Sequence, residues 1–310
     1  MGRYIFKRFL GLIPTLFIII TLSFFIIRFA PGGPFDSEKK LPKQILENIE
    51  KKYHLDEPLV MQYLRYMGNL LKGDLGPSLR YQDHDVSFYI VQTLPVSLLL
   101  GVISLFVALI LGLFTGALSA LKRNTWVDYT FMSIAVLGIS IPLFVTGPIL
   151  MLIFALVLKW LPTSGWINGR GGWATLIMPV LTLSFPYYAN IARLFRASVL
   201  EVLQSDYIRT ARAKGLSVRA IMLRHVFKGA SIPVVSYLGP AFAGIVTGSV
   251  VVEQIFRIPG LGRYFVQSAF NRDYPLIMGT VVVYSVILVV MNFIVDIFYG
   301  ILDPRVSYKD

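Results

Sequence analysis

The run VSLLLGVISLFVALILGLFTGALSAL, residues 96–121, contains no charged residue. As a helix it extends for about 39 Å at 1.5 Å per residue, enough to cross a hydrocarbon core of about 30 Å. Five further runs of similar character occupy residues 9–29, 131–158, 174–191, 232–255 and 277–302. A mean hydropathy of +0.68 with only 15% charged residues lies outside the soluble range. Backbone polar groups inside lipid must be satisfied within their own segment, which selects helices for such runs. The pattern predicts an all-α membrane protein with six transmembrane helices.

The first run follows the basic start MGRYIFKRF, as a signal peptide would. Its apolar part is about twenty residues, against the roughly 7–15 of a signal h-region, and no small-x-small site follows, so it is expected to stay as an anchor. No cysteine is present, which excludes disulfides, thiolate catalysis and cysteine metal sites. The net charge of +12 could indicate a nucleic-acid binder, but its distribution indicates topology. Eight of the 29 basic residues lie in the loop of residues 30–95, where nine acids offset them, and long translocated loops are discounted. The remaining basic residues divide fifteen to six in favour of the side that holds both termini. Both termini are therefore expected to be cytoplasmic, in a multi-pass membrane protein with no nucleic-acid partner.

This reading divides the chain into residues 1–29, the N-terminus and first span; residues 30–95, an external loop; and residues 96–310, a core of five spans. Within the loop, LPKQILENIEKKY and DEPLVMQYLRYMGNLLKG place apolar residues at helical spacing, so two external amphipathic helices are expected. They suit either a lid on the lipid headgroups or a docking surface for an external partner. Gly112-x-x-x-Gly116 and Gly244-x-x-x-Gly248 mark faces where helices approach closely. Pro142, Pro148 and Pro240 fall inside apolar runs, where proline kinks a helix.

Chemistry-bearing constellations are scarce. The only carboxylates within the runs are Glu253 and Asp296, both near run ends, which disfavours a proton relay or ion-coupled site. His54, His84 and His225 are far apart, and neither G-x-S-x-G nor G-x-x-x-x-G-K-[ST] occurs. Any ATP-driven work must use a motor on another subunit. Uncharged polar residues among the spans suit a neutral or zwitterionic solute, and equally suit interhelical hydrogen bonding.

The segment SDYIRTARAKGLSVRAIMLRHVFKG, residues 205–229, is the exception to this apolar character, with six basic residues. Ser205 and Asp206 suit an N-cap, Gly215 a left-handed C′ position, and Ser217 a second N-cap. A helix over residues 207–214 and another over 218–228, closed by Gly229, are predicted on the cytoplasmic side. Ala211, Gly215, Val218 and Met222 form a small apolar stripe between arginines, suited to docking into a protein groove. The basic charge alone would also serve a loop held at anionic lipid.

DYIRTARAKGL followed by RHVFKGASIPVV resembles the cytoplasmic coupling loop of binding-protein-dependent ABC transporter permeases of the peptide class. EQIFRIPGLGRYFVQSAFNRDYPLIMG, residues 253–279, is similar to that family's outer loop, and RFAPGGPF, GDLGPSLRY and LDPR also fit. The likeness covers nearly the whole chain and is strongest to the oligopeptide B-type subunits. It implies a type I ABC importer permease fold and a chain that binds no cofactor, is not an enzyme and forms half of a peptide pathway. The implied partners are a second, C-type permease, two ATP-binding subunits of D and F type that hold ATP and Mg, an extracytoplasmic peptide-binding protein, and membrane lipid. A same-fold permease for dipeptides, nickel or another small solute is the alternative. With Gly215 on the family's coupling glycine, Arg209, Thr210 and Ala211 fall on its E-A-A triplet and only Ala211 and Gly215 match. The implied ATPase contact comprises Arg209, Thr210, Ala211, Lys214, Gly215, Leu216, Val218 and Met222. The outer-loop signature, on the gating or receptor side, comprises Glu253, Pro259, Gly260, Gly262, Arg272 and Asp273.

Overall fold

The computed structural model describes residues 2–30, 51, 53–81, 83–169 and 171–302. Helices dominate, and no strand occurs among the described residues beyond one isolated bridge between Pro77 and Asp85. α1 (Gly2–Phe29) is followed by the short helix α2 (Leu59–Leu71) and the long α3 (Val86–Leu121). α3 begins behind the extended N-cap Asp85, before the apolar run starts, and passes through Pro95. α4 (Trp126–Ser140) and α5 (Leu143–Val157) lead to α6 (Ile177–Leu203). Then come α7 (Asp206–Ala213), α8 (Val218–Ala230), α9 (Ile232–Phe256), α10 (Leu261–Asn271) and α11 (Tyr274–Leu302).

The apolar runs become helices, but not six straight spans. α1, α3 and α11 are each long and apolar enough to cross a membrane, and the number reaches five among the described residues if each of two bent pairs is one span. The run 131–158 is the clearest departure: α4 and α5 meet at 112° across Ile141 and Pro142. Pro142 cannot donate to a continuing ladder and restricts Ile141 to an extended conformation, so the helix ends there. The same segment ends in a π-helical stretch, Met151–Val157. α6 has ample length, but Arg193, Arg196 and Glu201 occupy its second half. Of the external helices, the one over 59–71 forms; the one expected around residues 42–53 lies largely outside the described residues.

α1 and α11 run antiparallel: Arg8 pairs with Asp296 at 3.2 Å at one end, and Arg28 sits 4.7 Å from the Tyr274 ring at the other. Gly239, near the start of α9, faces Val295 near the end of α11. The hairpin α7–α8 therefore lies at the Arg8 end, and the segments 74–81 and 257–276 lie at the opposite end. Between α3 and α6 the backbones approach closely. A Cβ on Gly112 would stand 2.7 Å from Ile191, and one on Gly116 2.7 Å from the Ala192 carbonyl, the close approach that such glycine spacing permits.

Asp128, in the first turn of α4, fixes the α3–α4 corner against α6. It is 2% exposed and accepts both Arg196 Nε and Nη2 at 2.7 Å, the Asn124 N–H at 3.0 Å and the Ser119 hydroxyl. A buried carboxylate is tolerable only with such complete pairing, and removing one partner costs about 3–5 kcal/mol. Arg196→Ala is accordingly expected to lower the thermal unfolding midpoint of the purified chain in detergent far more than Arg196→Ala does in an Asp128→Asn background. Equal losses in both backgrounds would remove the pair from this role.

Candidate functional site

At the Arg8 end of the bundle, α7 and α8 form the hairpin that the sequence predicts. Ser205 precedes α7 in extended geometry, and Gly215 adopts φ +75°. The Leu216 N–H donates to the Ala211 carbonyl at 3.3 Å and the Gly215 N–H to Arg212 at 2.9 Å, the paired bonds of a Schellman turn. Ser217 then caps α8, its hydroxyl accepting from the Ala220 N–H at 3.3 Å. Gly229 does not stop this helix, which continues to Ala230 and meets α9 at 51°. Gly229 instead gives room beside Val202 and the Tyr207 hydroxyl, where a Cβ would be 3.4 and 3.5 Å away.

The hairpin is anchored to the end of α6. Ile208, Ala211, Ile221, Val226 and Ala230 are buried in one cluster with Phe195 and Val199, and Phe227 meets Phe195 edge to face at 5.7 Å. This corrects the stripe read from the sequence. Ala211 faces the core and Met222 is half-buried against it, whereas Gly215 and Val218 are exposed. The exposed apolar residues of the hairpin include Leu216, Val218 and Leu223, the last two 66% and 64% exposed, with Tyr207 and Phe227 partly covered. Leu223 escaped the sequence reading because periodicity defines faces without saying which one the rest of the chain covers. Arg209, Thr210 and Lys214 are exposed, as are all six basic side chains of the segment, so charge rims the apolar patch.

At the opposite end, two buried carboxylates bind distant parts of the chain together. Glu253 is 1% exposed. Its Oε1 accepts from the Ser97 and Ser249 hydroxyls, each at 2.7 Å, and its Oε2 from the Gly262 N–H at 2.9 Å. Ser97 in turn accepts from the Leu261 N–H at 2.8 Å. The carboxylate thus sits at the N-terminus of α10, where free N–H groups and the helix dipole favour negative charge. Gly260 and Gly262 permit this approach: a Cβ on Gly260 would overlap the Glu253 carboxylate, and one on Gly262 would lie 2.6 Å from Val250 Cα.

Asp273 is also 1% exposed and holds the segment 78–80 to the start of α11. Its Oδ1 accepts from the Leu79 N–H at 3.2 Å and the Leu276 N–H at 3.3 Å; its Oδ2 accepts from the Arg80 N–H at 3.3 Å and from the Ser78 hydroxyl. Arg80 Nε donates to the Asn271 carbonyl at 3.3 Å, and the Tyr81 hydroxyl to Gln267 at 3.0 Å. Burial, and then Tyr264 nearby, pushes the Tyr81 hydroxyl above its ordinary pKa, so it remains a donor. GDLGPSLRY and the signature at 253–279 are thereby two halves of one structure. Of the six signature residues, Glu253, Gly260, Gly262 and Asp273 are interior; Pro259 is exposed, and Arg272, at φ +55°, is half-buried.

Residues 108–308 match the family described as the binding-protein-dependent transport system inner membrane component, and residues 1–96 match its N-terminal companion. The chain belongs to this family. It is 49% identical over 308 residues to the oligopeptide transport system permease protein OppB of Haemophilus influenzae, covering 99% of this chain and 100% of that one. OppB of Escherichia coli K12 gives the same figures. The dipeptide transport system permease protein DppB of Bacillus subtilis is 45% identical over 307 residues, covering 99% and 98%. Among solved structures, an inward-facing MetNI methionine ABC transporter chain superposes with a TM-score of 0.58 at 20% identity, over 70% of this chain and 97% of that one. An amino acid ABC transporter chain gives 0.53 at 18%, over 69% and 94%. These two establish the fold alone.

Gly260→Ala is expected to displace the Glu253 carboxylate and lower the stability of the folded chain, whereas Gly68→Ala, with nothing within 4 Å of the new Cβ, is expected to be neutral or stabilising. Thermal unfolding of both variants in detergent checks this; equal midpoints would contradict it.

Proposed function

We propose that this chain is one of two permease subunits in an ATP-driven peptide importer of the bacterial inner membrane. It spans the membrane six times with both termini in the cytoplasm, and it forms half of the pathway. A C-type permease completes that pathway, D- and F-type subunits bind ATP and Mg, and an extracytoplasmic protein delivers peptide. Oligopeptides are the favoured substrate, given two relatives named for oligopeptide transport at 49% identity. Dipeptides are the second reading, favoured by the relative named for dipeptide transport at 45%.

The observation that carries the mechanism is the capped hairpin with an exposed apolar patch and a buried inner face. A surface that receives force from a motor must be stiff, and it must be fixed to the helices it moves. The Schellman turn and Ser217 cap supply stiffness; Ile208, Ala211, Ile221 and Phe227 fix the hairpin to α6. Closure of the ATP-binding subunits would carry α7–α8 with it, and α6 and α9 would follow as one body. Coupling free energies of about 1–3 kcal/mol are typical of such links.

Val218→Asp and Leu223→Asp replace exposed residues and leave the buried face intact. Each is expected to reduce ATP-dependent peptide uptake about tenfold or more in vesicles containing the assembled transporter, while membrane insertion stays at the wild-type level. Wild-type uptake by the double variant would overturn the assignment of this patch.

A further inference from the structure

A second polar constellation lies at the opposite end of the bundle and takes no part in the hairpin or the outer latch. A cavity of about 130 Å³ opens between the end of α1, the inner face of α2 and the start of α11. The Arg28 guanidinium projects there between two rings, 5.4 Å from the centroid of Phe24 and 4.7 Å from that of Tyr274. No carboxylate lies within ion-pair distance of it among the described residues. Gln62 is only 8% exposed, and its Nε2 donates to the Leu55 carbonyl at 3.0 Å and the Glu57 carbonyl at 2.7 Å. Those two bonds fix the amide orientation, so Oε1 must be the acceptor, and it has no partner. The Tyr66 hydroxyl is likewise buried and unpartnered.

The vacant chemistry is specific. Arg28 and Tyr66 offer N–H and O–H donors to an oxyanion, and Gln62 Oε1 requires a donor from the same ligand. Asp74, which also lines the cavity, favours positive charge on that donor. The depth of the site narrows the choice. Twenty residues of α1 separate Arg28 from Arg8, about 30 Å of helix, which equals the thickness of a hydrocarbon core. Arg28 therefore stands at headgroup level whichever way the bundle faces. α2 exposes Val60, Leu64 and Leu71 beside it, as a helix lying in the interface does.

We propose that this cavity binds the headgroup of a phospholipid that carries a phosphate and a primary amine. Arg28 and Tyr66 hold the phosphate oxygens, and the ammonium donates to Gln62 Oε1. A choline headgroup has no N–H to give, so it leaves that buried acceptor unsatisfied. The inference rests on α1 spanning the bilayer and not on the transported solute.

The test uses the assembled transporter in nanodiscs of equal parts phosphatidylethanolamine and phosphatidylcholine, with native mass spectrometry of the lipid retained after release. Wild type is expected to retain phosphatidylethanolamine over phosphatidylcholine by about tenfold, the worth of one buried hydrogen bond. Arg28→Gln and Gln62→Leu are each expected to abolish that preference. Arg28→Lys, which keeps the charge, is expected to preserve part of it, and Arg8→Gln at the other end to preserve all of it. Equal retention of the two lipids by wild type, as water alone in the cavity would give, would overturn the proposal. So would an unchanged preference in Arg28→Gln. Inorganic phosphate raising the unfolding midpoint of the lipid-free wild-type complex, but not of Arg28→Gln, with no lipid preference, would assign the site to a soluble anion and equally overturn it.

Discussion

A carboxylate inside a helical membrane bundle must find donors for all its lone pairs, because no water is at hand to supply them. Asp128, Glu253 and Asp273 each meet this demand by gathering serine hydroxyls and backbone N–H groups, and each also takes a partner far away in the chain: Arg196 for Asp128, Ser97 for Glu253 and Ser78 for Asp273. Each stands where a helix begins or where a loop turns back, the places where unpaired N–H groups are available. Glu253 joins α3, α9 and α10; Asp273 joins the segment before α3 to α11; Asp128 joins the α3–α4 corner to α6. Between lipid-like side chains there is little hydrophobic drive for association, so these polar nodes and the close glycine contacts carry much of the specificity of packing.

The nodes divide the molecule by mechanical role. Glu253 and Asp273 bind α3, α9, α10 and α11 into one assembly at the end away from the hairpin. At the hairpin end α7 and α8 are held by apolar packing onto α6, and Asp128 ties the same helix to α3 and α4 through Arg196. Force applied to the hairpin reaches α6 through a buried apolar face and reaches α9 through the direct α8–α9 junction. The 112° break at Pro142 leaves α4 and α5 as separate pieces, each packed against α6.

Much of this was legible in the sequence, with limits that have physical causes. Uninterrupted apolar runs reveal helices because only helices satisfy their own backbone in lipid. Gly215 and Ser217 reveal the hairpin because a positive φ and a hydroxyl cap are local requirements. Hydropathy did not reveal the break in 131–158, since both halves are equally apolar and direction leaves no trace in composition. Glu253 was conspicuous as a carboxylate in an apolar run, but its partner Ser97 lies 156 residues away, and long-range pairing leaves no local signature. Asp128 fell just before an apolar run and was passed over, and its link to Arg196 spans 68 residues. Ala211 matched the family glycine–alanine pattern, yet burial against α6 depends on a neighbour that spacing alone does not identify.

The central claim is that the exposed patch on α7–α8 is the surface gripped by the ATP-binding subunits. The absence of cysteine makes a direct test simple, since single cysteines can be placed at Val218, Leu223 and, as a control at the end away from the hairpin, the 83% exposed Phe270. Maleimide labelling rates are then compared between the chain alone and the assembled transporter. The account requires slow labelling at 218 and 223 on assembly, with 270 unaffected. Labelling of 218 and 223 at the same rate in both states would contradict it.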